Sequence, residues 1–239
     1  MHSGDRIIVE IDYDRIVRAN ETVEIRDDNL VIDGNGHFMS EGVNPLFEIY
    51  GKNIVFKDMT FKNFDLDRGA LIYNQSSVRF ENCKFLFNSF DDEYGVISNI
   101  GHLELVNCLF EDNRLFLGNG SCINNEGFAS IKDSKFIDNK SEYGGAIYNK
   151  SELDITDSIF KGNTSEYEGG AVYSKSRLKI FNSAFIENMS FKGGAIFNEI
   201  YLLIRDSSFE NNKASDSNHI ENYKNATADI LGTTFKEDS

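Results

Sequence analysis

The chain has 239 residues, 40% of them hydrophobic, with a net charge of −15 and a sequence pI of about 4.7. Such acidity argues against unaided binding to nucleic acid or to an anionic membrane, since both are attracted by positive protein charge. No apolar run reaches the roughly 18 residues that a membrane-spanning helix needs, and three cysteines make no disulfide framework.

Met1 to Glu10 shows no basic region followed by an apolar core, so no secretory signal is visible and a cytoplasmic location stays open. Ile7 to Ile11 reads as a strand. Residues 1–28 fall outside the regular pattern and read as an N-terminal cap, with Tyr13 to Ala19 lying across the mouth of a coil that begins at residue 29. A cap is expected because an open coil end exposes unpaired backbone and apolar interior.

From residue 29 to 239 one repeat governs the chain. Phe61, Phe85, Phe110, Phe136, Phe160, Phe185, Phe209 and Phe235 are spaced 24, 25, 26, 24, 25, 24 and 26 residues apart. Asn88, Asn113, Asn139, Asn163, Asn188 and Asn212 follow three residues after a phenylalanine. A fixed period of this length marks a solenoid. Val78, Leu103, Ala129, Leu153, Leu178 and Leu202 form a second row. Phe80, Leu105, Ile131, Ile155, Ile180 and Ile204 form a third, two residues on. The residue between them varies, so this segment is a strand with one buried face. The phenylalanine row pairs with Met59, Cys83, Cys108, Ser134, Ser158, Ser183 and Ser207 two residues earlier. A further strand centres on Ile72, Ile97, Ile123, Ile147, Val172, Ile196 and Ile220.

Equivalent residues one whole repeat apart stack most simply in register, each turn bonded to the next at about 4.8 Å. The fold class is therefore all-β: a single-stranded right-handed parallel β-helix of about ten turns with three strands per turn. Its handedness follows the general preference for right-handed crossovers. Stacked asparagines can pass hydrogen bonds from turn to turn. Gly144-Gly145, Gly169-Gly170 and Gly193-Gly194 suit corners. The last turn, Lys224 to Ser239, is degraded, with Asp238 in place of asparagine.

Paired Gly-Gly-Ala-Ile or Gly-Gly-Ala-Val (144–147, 169–172, 193–196) and Phe-x-x-Asn resemble the repeat of the polymorphic membrane proteins of chlamydiae. Asn29 to His37, followed by Asn53 to Phe61, is similar to the adhesin-like proteins of methanogenic archaea. The resemblance covers about residues 29 to 235. It implies a right-handed parallel β-helix, a cell-surface or extracellular location and a role in adhesion.

Chemistry is harder to find. Glycoside hydrolysis needs two carboxylates flanking the scissile bond. Asp27-Asp28 and Asp91-Asp92 are the Asp-Asp pairs, and they read as solvated corners. Gly36-His37-Phe38 and Gly101-His102-Leu103 lack the second glycine of the polygalacturonase Gly-His-Gly motif. No Arg-Ile-Lys and no arginine cluster appears. His2, His37, His102 and His219 form no metal-like pair, so neither a metal nor a cofactor is expected. The sequons at Asn139, Asn163 and Asn188 start at buried repeat asparagines and read as poor glycan acceptors.

Two aromatic rows are the candidate ligand sites. One is Tyr148, Tyr173 and Phe197, pointing outward beside the isoleucine row. The other is Tyr94, Tyr143, Tyr167 and Phe191 at the corner before the glycines, next to Glu142, Glu166 and Glu168. Exposed rings give a glycan or protein contact area at low entropic cost; alternatively, they stabilise the sheet by cross-strand packing. The sequence thus suggests a non-catalytic, adhesin-like binding module. The alternatives are a carbohydrate-active β-helix enzyme and a cytoplasmic acidic scaffold.

Overall fold

The computed structural model describes residues 7–16 and 22–237. Its strands form parallel sheets that run the length of a coil of about nine windings, with no helix among the described residues. The leucine sheet has ten strands, from Ile7–Glu10 to Thr227–Leu231. The phenylalanine sheet also has ten, from Arg15–Ile16 to Thr234–Lys236. The isoleucine sheet has nine, from Val23–Ile25 to Ile220–Asn222.

A fourth sheet of seven strands, from Asp65–Leu66 to Lys213–Asp216, corrects the expectation of three strands per turn. Its inward row changes character along the coil, from Leu66, Phe90 and Leu115 to Ser141, Ser165 and Ser190, all buried. No apolar period therefore marks it. Polar bonds replace apolar packing there: Ser141 Oγ donates to the carbonyls of Tyr143 and Gly144, and Ser190 Oγ to those of Lys192 and Gly193.

Like stacks on like through the interior. Each repeat phenylalanine from Phe61 to Phe235 is the direct strand partner of the next. Adjacent rings from Phe110 to Phe209 lie 4.6–4.9 Å apart and within 4° of parallel, close enough for offset stacking. The asparagine ladder is continuous: in each pair from Asn88 to Asn212 one amide donates to the next at 2.8–2.9 Å. Each amide also donates to the carbonyl of a repeat phenylalanine in the preceding winding, as Asn139 does to Phe110 at 3.0 Å. A second ladder, Asn74–Asn99–Asn125–Asn149, runs down the isoleucine sheet.

At the Gly144-Gly145 corner, Gly144 has φ +59°, and a Cβ on Gly145 would lie 2.2 Å from the Gly170 carbonyl oxygen of the next winding. Cys83, Cys108 and Cys122 are free and buried. Burial pushes the Cys108 thiol up to about 12, so these are packing groups rather than reactive ones.

Within the segment read as a cap, Ile7–Glu10, Arg15–Ile16 and Val23–Ile25 each continue a sheet of the coil. Residues 17–19, expected to cross the mouth, lie outside the described residues, as do His2 and Asp238.

At the other end His219 packs against Phe235 and lies 3.2 Å from the Asn212 amide. Burial lowers its pKa from 6.5, partly offset by Glu237 at 3.8 Å. Its folded pKa lies below its unfolded one, so its contribution is intact above pH 6.5 and is lost as pH falls through the folded value. The amides of Ala195 and Ile196 donate to the His219 carbonyl. Their hydrogen-exchange protection should fall over that window, and His219→Gln should remove the step. A step that persists in the variant would exclude His219 as its source.

Candidate functional site

The site is built where the fourth sheet turns into the isoleucine sheet. Tyr148, Tyr173 and Phe197 are direct strand partners on the outer face of the isoleucine sheet. Their rings stack at 5.1 Å, within 9° of parallel. They are only 6%, 4% and 2% exposed, which corrects the expectation of an open aromatic stripe. The neighbouring fourth sheet carries Tyr143 over them, its ring 5.7 Å from Tyr173 and edge-on. Lys175 lies over both tyrosine rings at 5.5–5.7 Å. Cross-strand packing is thus the role of this row: it forms a small second core outside the coil interior.

Polar groups close this core. The Tyr173 hydroxyl donates to Glu199 Oε1. Burial, and then that bond, push the Tyr173 pKa far up. A bond to Tyr148 raises the Lys175 pKa. Burial raises the Glu168 carboxyl, opposed by Lys192 at 3.9 Å.

The corner row is different. Tyr143 is half-buried, Tyr167 is 40% exposed and Phe191 55%. The Tyr143 and Tyr167 rings meet at 5.0 Å, tilted by 32°. A bulge places Tyr167 there. Ser141 pairs with Ser165 but Tyr143 with Glu168, so one strand carries an extra residue, and an extra residue re-aims a side chain. Tyr94 is not part of the pair. It packs edge-on against Tyr73 at 6.3 Å, two strands further along the sheet.

Between them the Arg114–Gly118 strand exposes Phe116 and Leu117, neither of which the repeat pattern singles out. A signal existed: Phe110 to Phe136 is one of the longest repeat spacings, at 26 residues. The extra length falls where these two apolar side chains stand. A cavity of about 200 Å³ opens there, lined by Arg114, Phe116, Lys140, Glu142 and Glu166 among others. The Tyr167 hydroxyl pKa is raised, chiefly by its bond to Glu166.

The arrangement offers ring faces beside carboxylate acceptors, which is what a sugar's apolar face and hydroxyls require. Two cations across the coil are engaged by carboxylates. On the outer leucine sheet Arg79 is bonded to Glu81 and to Glu104, the latter at 2.7 Å, and Lys57 to Asp33. Among the described residues no three His, Cys, Asp or Glu side chains converge as metal ligands.

Coil, stacked registers and lateral corner together define a parallel β-helix repeat protein. The chain belongs to the family described as right handed beta helix region, which matches residues 9–160. The Chlamydia polymorphic membrane protein repeat matches residues 157–175, which span the Phe160 to Val172 part of the repeat. A search of curated proteins returns no match. Among solved structures, one described as an alginate lyase, AlyF-OU02, in complex with G6 is similar at 11% identity and a TM-score of 0.54. The match covers 95% of this chain and 57% of that one, so this chain spans little more than half the length of that relative. A second, described as a PL6 alginate lyase in complex with a trisaccharide, aligns at 11% identity and a TM-score of 0.37, over 98% of this chain and 79% of that one.

The first of these structures corrects one expectation. The absence of known motifs suggests a chain that is not an enzyme, yet a lyase is built on the same coil over 95% of this chain. Missing polygalacturonase motifs exclude particular families and leave catalysis on this coil open. At 11% identity the likeness establishes the shared fold and carries no catalytic residue across.

Proposed function

We propose that this is a carbohydrate-binding β-helix that engages a glycan along its lateral corner, in an adhesive role at a cell surface. The observation that carries this reading is the Tyr143–Tyr167 ring pair, set at winding spacing on a packed aromatic floor and flanked by Glu142 and Glu166. The chlamydial repeat supports the surface location. No described helix is long and apolar enough to cross a membrane. Cleavage of the bound glycan is the second reading, favoured by the coil shared with an alginate lyase. Release of reducing or unsaturated sugar ends from a panel of polysaccharides tests it.

Binding is tested on a glycan array, followed by titration of the best oligosaccharide. Tyr167→Ser removes an exposed ring and should leave the unfolding temperature within a few degrees. It should weaken binding about three- to tenfold, the scale of one aromatic contact. Tyr143→Ser with Tyr167→Ser should weaken it further. Unchanged affinity in the folded double variant would remove the corner from consideration.

A further inference from the structure

The corner also carries a charge preference, which rests on the glycan reading above. Glu142 and Glu166 line the same small cavity beside Phe116. They follow the paired residues Ser141 and Ser165, which puts the two strands at a separation of about 4.8 Å. Of the cavity's two cations, Arg114 is already bonded to Asp112 at 3.1 Å, which leaves Lys140 as the one positive side chain set against the two carboxylates. Glu168 stands at the same corner, Asp91 and Glu93 stand exposed on the same sheet, and the whole chain carries −15.

A positive group entering between Glu142 and Glu166 would gain charge-assisted bonds and a nearby ring face. A carboxylate in that position would meet like charge on two sides. We propose that the glycan taken by this corner is amine-bearing, its ammonium held between Glu142 and Glu166 and its sugar faces lying on Phe116, Tyr143 and Tyr167.

The test is a titration with three oligomers of equal length, built from glucosamine, N-acetylglucosamine and mannuronate, in buffer acidic enough to protonate the amines. The glucosamine oligomer should bind about tenfold tighter than its acetylated counterpart. Added salt should shrink that advantage. E142Q/E166Q, which keeps side-chain shape, should abolish it, and E166Q alone should reduce it if the double variant is unstable. Equal affinity for the first two oligomers overturns the amine preference and leaves the glycan reading intact. Tightest binding of mannuronate, or a preference that survives E142Q/E166Q, also overturns it. Binding of no oligomer overturns both.

Discussion

Phe136→Ala should destabilise the protein by about 3–5 kcal/mol in denaturant unfolding. The ring is fully buried and stacked at 4.8 Å on Phe110 and at 4.6 Å on Phe160. Its removal therefore costs the hydrophobic transfer of a large side chain and opens a cavity between two rings. The surrounding backbone is held on each side by neighbouring windings, so it has little freedom to collapse into the gap. Phe235→Ala is the matched control. That ring belongs to the same column, but it is exposed at the coil's end and stacks on one described repeat phenylalanine, Phe209. It should cost less than half as much. Equal losses at the two positions would contradict a column whose strength comes from two-sided stacking.

Asn139→Ala should cost a comparable amount, about 3–5 kcal/mol, although it deletes only a small polar group. The Asn139 amide is fully buried and makes four bonds. Its oxygen accepts from the Asn113 backbone N–H at 3.0 Å and from the Asn113 amide at 2.9 Å. Its nitrogen donates to the Phe110 carbonyl at 3.0 Å and to Asn163 at 2.9 Å. Alanine would strand donors and acceptors on the two flanking windings, each costing about 1–3 kcal/mol when buried unpaired. Relaxation keeps the total below their sum. A loss under about 0.5 kcal/mol in the same unfolding assay would mean that the ladder is incidental to stability.

Most of the coil was legible because its residues obey two periods at once. Alternation within a strand fixed which side chains face inward. Recurrence between turns fixed their partners: Phe85 meets Phe110, and Ile123 meets Ile147, as the spacing implies. The fourth sheet was not legible, because its inward positions pass from Phe90 and Leu115 to Ser141 and Ser165. At Ser141 and Ser190 a hydroxyl satisfied by carbonyls stands where leucine stood, and small inward serines leave no hydrophobic signal.

The candidate site was legible in part for a related reason. Periodicity reports the direction of a side chain but not what lies over it. Tyr148, Tyr173 and Phe197 do leave the isoleucine sheet on its outer side, yet Tyr143 covers them from the adjoining sheet. The placing of Tyr143 and Tyr167 at one corner followed from the repeat, and a bulge aims Tyr167 at its partner. The separation of Tyr94 and the exposure of Phe116 and Leu117 depend on extra residues in single windings, which a repeat average conceals. Motif absence misled in the same way, since it weighs only arrangements already known.

The most direct test of the account is the footprint of a bound oligosaccharide on the folded chain, mapped by amide chemical-shift changes during titration. The account predicts changes centred on Phe116, Leu117, Glu142, Tyr143, Glu166 and Tyr167, with the outer leucine sheet silent. A footprint centred instead on Arg79 and Glu104, across the coil, would contradict it.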